Sequence, residues 1–248
     1  MVIFDIRDVS DDVAENFERE FLVRQKTLRA YLTSRSLVEL FSGEIHVTVC
    51  ECVSPASMAL LPAWRGHRGQ MKFAASRVRQ GRAAILHELV HVYEPNQVRF
   101  LAEGFAVYLE EKFGNIDVYP TFGSAIEERL NGTHSLALAY LKLNVFDGVS
   151  VGRGMPLGDS IELETMIPVA AQRGAYSYLV SGSFVKFLIS AYGMDKFMAL
   201  YKLTPLLPGV SKPGDPNRYE WVFRTSLAEL QAEWLRWLQN ALRAETSA

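Results

Sequence analysis

Between Ala83 and Glu111 the chain reads AAILHELVHVYEPNQVRFLAEGFAVYLEE, apolar residues at helical spacing broken once, at Pro95. Proline disfavours helical geometry in the residue before it, so a first helix has to stop near Glu94. After the short connection PNQV, a second helix, RFLAEGFAVYLEEKFG, runs to a stop at Gly114. The turn between them can fold the second helix back across the first. Any fold for this chain has to be built round that pair, and the first helix contains HELVH.

His87 and His91 are four residues apart, so on a helix they project from the same face on adjacent turns and can grip one ion. Glu88 sits about 100° round the helix from His87, beside a bound metal but not on it. That is where a general base acting on water at the metal has to be. By composition alone an HExxH turns up in such a chain on the order of one time in a hundred. Both histidines therefore stay readable as satisfied core residues until a third ligand is found.

Glu94 shares their face, but it lies about 10 Å along the axis from His87, too far for both to reach one ion from a straight helix. A third histidine in the pattern H-E-x-x-H-x-x-G-x-x-H is excluded, because Glu94 and Gln97 stand where its glycine and last histidine belong. Glu103, in the second helix, remains. Its small neighbours Gly104 and Ala106 would let the two helices approach closely. Two neutral imidazoles, one carboxylate and an open fourth position are the layout of a catalytic zinc site holding one zinc ion per chain.

Around this pair the pattern is a small sheet first and then mostly helices. Ser10 caps an expected helix through about residue 34, with Val13, Phe17, Phe21, Leu28 and Leu32 at helical spacing. In EIHVTVC, Ile45, Val47 and Val49 alternate with His46 and Thr48, which predicts a strand with one buried face. MAL (58–60) and QMKFAAS (70–76) are weaker strands, separated by the basic loop RGHRG. Helices are expected near 123–143 and 175–192, with the glycine-rich loop 147–160 between halves. A last helix opens with the capping box SLAE (Ser226, Glu229) and buries Leu227, Leu230, Trp234, Trp237, Leu238 and Ala241. We expect an α+β fold. Residues 1–146 form a lobe with the N-terminal helix, the sheet and the metal-binding helices, and 147–248 form a helical lobe.

Of 248 residues, 49% are hydrophobic and 22% charged, and the net charge of −2 argues against an electrostatic attraction to nucleic acid. The N-terminus lacks the basic region and apolar core of a signal peptide. No apolar run approaches the roughly 20 residues of a membrane helix. We expect a cytoplasmic protein with no membrane partner. Cys50 and Cys52, i and i+2 in a strand-like run, are poorly placed to bridge and read as small apolar thiols.

HELVH followed by FLAEGFAVYLEE resembles the gluzincin metallopeptidases, in which a second helix with an E-G-x-A-x-Y pattern provides the third ligand. Downstream, YLVSGSFVKFLISAYG (178–193) is similar to a segment of the peptidase-MA-like branch, where Y-x-x-[SA]-G-S-F opens a C-terminal helix. The terminal LAELQAEWLRWL also fits. The resemblance covers roughly 80–115 and 175–240. It implies a zincin-like fold in which a small mixed sheet and the HExxH helix form one lobe, and a mainly helical lobe completes the cleft. It also implies an edge strand that holds extended substrate. The G-x-M-E-N stretch of the aminopeptidases does not precede HELVH, which argues against a typical aminopeptidase. Some gluzincins place an aspartate four residues after the glutamate ligand to orient a histidine, where this chain has Val107. Glu110, on the face of Glu103, is either a substitute carboxylate or a solvated helix charge.

The activity implied is zinc-dependent hydrolysis of peptide bonds, with Glu88 taking the proton of the attacking water and handing it to the leaving amine. In the family a tyrosine of the C-terminal lobe supports the oxyanion. Tyr178 aligns best with the motif tyrosine and Tyr176 is the alternative; both also read as packing residues. The MKFAAS run is either the substrate-binding edge strand or a plain sheet edge. His46, His67 and His134 read as surface or structural residues. Two other functions fit the same residues: a catalytically silent zincin-fold binding or regulatory module, and a zinc hydrolase of a non-peptide amide. The intact Glu88 argues against the first.

Overall fold

The computed structural model describes residues 1–35, 41–52, 58–60, 68–96, 98–115, 118, 171–203 and 217–245. In chain order these form β1 (Val2–Ile6), α1 (Asp11–Thr33), β2 (Ile45–Cys50), β3 (Met58–Leu60), β4 (Gln70–Ala74), α2 (Ala75–Arg79), α3 (Ile85–Tyr93) and α4 (Arg99–Phe113). After them come α5 (Ala171–Tyr192), α6 (Met194–Lys202), α7 (Asn217–Phe223) and α8 (Leu227–Glu245). Helix outweighs strand, and the strands gather at the N-terminal end, in keeping with α+β. The helix expected near 123–143 and the loop 147–160 lie outside the described residues.

The sheet has the order β1-β2-β4-β3. β1, β2 and β4 are parallel, and β3 closes one side antiparallel to β4, with Ala59 opposite Met71. This corrects the assignment of the MKFAAS run as an edge. β4 has a strand on either side, and β3 takes the edge. β1 has no counterpart in the sequence reading, because VIFDI is five residues with three consecutive apolar ones and no polar alternation, and none of the five is fully buried.

Two compact units divide the described residues. The first takes Met1–Pro95 and the stretch from Leu109, and the second takes Asn96–Tyr108 and the helices from 171 onward. In the first, the apolar stripe of α1 covers one face of the sheet. Phe21 meets Phe4 edge-on with ring centroids 5.4 Å apart, and Phe17 meets Phe73 at the same spacing. Ile45, Val47 and Val49 are buried in this core as the alternation predicts, while His46 is exposed.

β2 ends at Cys50, and the chain turns at Glu51 and Cys52. The turn corrects the reading of free thiols: Cys50 and Cys52 are joined in a disulfide across a Cα separation of 5.1 Å. Two residues in extended conformation would span roughly 6.7 Å. The turn removes that obstacle, since Cys52 is no longer part of the strand.

In the second unit Trp234 of α8 is fully buried. It donates from Nε1 to the Ser183 hydroxyl at 3.0 Å and stands edge-on to Phe184 with centroids 5.8 Å apart. The capping box forms as expected: the Ser226 N–H donates to Glu229 Oε2 at 2.9 Å, and the Glu229 N–H donates to the Ser226 hydroxyl at 3.3 Å. Leu227, Leu230 and Leu238 are buried. Gly104 of α4 marks a close crossing, since a Cβ there would lie 2.6 Å from the Ser181 carbonyl oxygen and from a Val185 methyl. The small residue admits α5. Gly193, at φ +90°, takes a positive-φ conformation open to glycine, and α6 starts directly after α5. Among the described residues no helix is long and apolar enough to cross a membrane.

Candidate metal centre

α3, which carries HELVH, has nine residues and all are buried. So short a helix does not hold in isolation, and its ends depend on groups from elsewhere. Ala84 at the N-cap has no side chain to offer. The carboxylate of Glu110, at the far end of α4, accepts the His87 backbone N–H at 2.8 Å instead. Its other oxygen accepts the Asn115 N–H at 2.9 Å. Burial pushes the Glu110 carboxyl above the usual carboxylate range, and these two N–H bonds work against the shift.

At the C-terminal end Arg68 donates to the Val92 carbonyl from Nε at 2.9 Å and to the Tyr93 carbonyl from Nη2 at 3.3 Å. Burial pulls this guanidinium down from its usual value, and the charge of Glu94 pulls the other way. A carboxylate thus sits at the positive end of the helix dipole and a guanidinium at the negative end.

On this helix the two imidazoles face each other, with Nε2 of His91 3.1 Å from Nε2 of His87 and the rings nearly perpendicular at 84°. Glu103 of α4 completes a group in which each residue offers one ligand atom, and the three atoms lie within 4.8 Å of one another. His87, His91 and Glu103 are all at least nine-tenths buried. Two imidazole nitrogens and a carboxylate oxygen at this spacing could hold a metal ion. Glu94 is the C-cap of α3 and is outside the group, as the helix geometry requires. Glu88, next to His87, is buried at 5% exposure and is also outside it.

Glu110 is not a solvated helix charge; it is 1% exposed and bound to backbone. Its sequence signal was ambiguous because every residue from 101 to 110 is buried, so α4 has no polar face to mark the exception. Arg68 stands in a basic loop, and nothing local in the sequence tells its partners. Tyr176 and Tyr178 are on α5, and their side chains, like His67 and His134, lie outside what is described. Comparison with family models, with curated proteins and with solved structures finds no match.

Proposed function

We propose that this chain hydrolyses peptide bonds as a zinc-dependent enzyme of gluzincin type, with His87, His91 and Glu103 holding one zinc ion and Glu88 as general base. The buried group of two imidazoles and one carboxylate carries the proposal. Such a donor set suits zinc and leaves a fourth position for water or substrate. When bound, zinc supplies a Lewis acid that polarises a carbonyl and acidifies water.

Glu88 takes a proton from the attacking water onto its carboxylate. As the C–N bond breaks, it returns that proton to the leaving nitrogen. Tyr178 is the proposed oxyanion donor. Its support is positional, since α5 crosses Gly104, the neighbour of Glu103, at Ser181, less than one helical turn from Tyr178. β3 supports a zincin-like arrangement, being an antiparallel edge strand that lies against α3. An extended peptide would add to that edge by main-chain hydrogen bonds.

The test is zinc content beside cleavage of an unstructured protein and a peptide library. The parent is expected to carry close to one zinc per chain and to cleave. Glu88→Gln should keep the zinc and lose at least about 10²-fold in rate. A zinc-loaded parent that cleaves no peptide would sink the peptidase reading.

A further inference from the structure

Glu110 is placed to do more than finish a helix. Its two carboxylate oxygens are both committed, one to the His87 N–H at 2.8 Å and one to the Asn115 N–H at 2.9 Å. Room is made for it: a Cβ on Gly114 would collide with Glu110 Oε1 and lie 2.6 Å from its carboxyl carbon. The end of α4 that carries it is itself pinned. Arg24 of α1, paired with Glu20 at 2.6 Å, donates to the Phe113 carbonyl at 2.9 Å.

Glu103 lies seven residues earlier on the same helix, two turns or about 10.5 Å along the axis. A cap on residue 84 would fix the start of α3 only to its own chain neighbours. The cap actually present ties the backbone of one ligand, His87, to the helix that carries another. A slide of α3 past α4 would open the distance from His87 to Glu103, and the Glu110 bond opposes that slide.

We propose that Glu110 is a positioning residue of the metal centre, registering His87 against Glu103 through the His87 backbone N–H. Outer-sphere carboxylates more commonly take the free ring nitrogen of a ligand histidine; here the main chain is held instead. The proposal rests on the metal-site reading above.

Its test compares the parent with Glu110→Ala, Glu110→Gln and Gly114→Ala. Lys112→Ala, on the exposed side of the same turn, serves as the reference. The readouts are zinc affinity by competition with a chromophoric chelator, the visible spectrum of the cobalt(II)-substituted proteins, and thermal unfolding of the metal-free forms. We expect Glu110→Ala to weaken zinc binding by about 10–100-fold and to shift the cobalt bands. Gly114→Ala should do the same by displacing the carboxylate without removing it. Glu110→Gln keeps one acceptor oxygen and should recover part of the affinity.

If Glu110→Ala does not fold, Gly114→Ala carries the comparison. Folded variants with the parent's affinity and cobalt spectrum overturn the proposal. So does a weakening that only tracks the unfolded fraction and leaves the spectrum unchanged. A parent that takes up no zinc overturns the metal reading and this proposal with it, whereas a zinc-binding parent matched by its variants overturns this proposal alone.

Discussion

His87 and His91 hold their Nε2 atoms 3.1 Å apart on α3, a helix whose nine residues are all buried. With the Glu103 carboxylate near them, truncating one member removes a donor without refilling the space. We predict that His91→Ala and Glu103→Ala each fall from about one zinc per chain to near none, against a parent loaded and dialysed in parallel. Zinc lost from His91→Ala but kept by Glu103→Ala would strike Glu103 from the ligand set. The two histidines were legible because helical geometry places i and i+4 on one face, and that needs only local structure. Glu103 was legible by elimination, since Pro95 forces a turn and Glu103 is the first acid after it. Glu110 and Arg68 were not. Each acts on α3 from a distance, and a charge that caps a remote helix has the same letter as one that faces water.

At the scale of the elements, α3 is held at both ends by charges from outside it. Arg68→Ala should cost about 1–3 kcal/mol, the worth of charge-assisted hydrogen bonds to terminal carbonyls, and thermal unfolding would record it. An unchanged midpoint would mean that other groups satisfy Val92 and Tyr93. The crossing at Gly104 makes a second prediction, because a methyl there meets backbone and not a yielding side chain. Gly104→Ala is expected to destabilise by about 1–3 kcal/mol despite the better helix propensity of alanine. A neutral or stabilising effect would show that α5 can move away freely. The helices were mostly legible because their stripes are long, as in α1 and α8. The sheet was only half legible. Periodicity identified β2, β3 and β4, but strand order depends on non-local pairing, so the interior place of β4 and the existence of β1 could not be read from alternation.

At the scale of the whole molecule, a metal held by residues from separate stretches of chain adds to folding free energy, because the unfolded chain keeps none of that geometry. An ion at a thousand times its dissociation constant stabilises the native state by about 4 kcal/mol. In a chain of this size that amounts to roughly 10 °C in the unfolding midpoint. A strong chelator should therefore lower the midpoint of the zinc-loaded parent by about that much, and zinc in excess should restore it. Glu103→Ala should unfold at one temperature with or without chelator. Glu88→Gln should follow the parent, because Glu88 is outside the group that could hold the ion and its proposed part is in the reaction. That contrast separates the two roles proposed for adjacent positions of HELVH. If chelation lowered Glu88→Gln no more than Glu103→Ala, Glu88 would belong among the ligands, and the proposed division between holding the metal and moving the proton would fall.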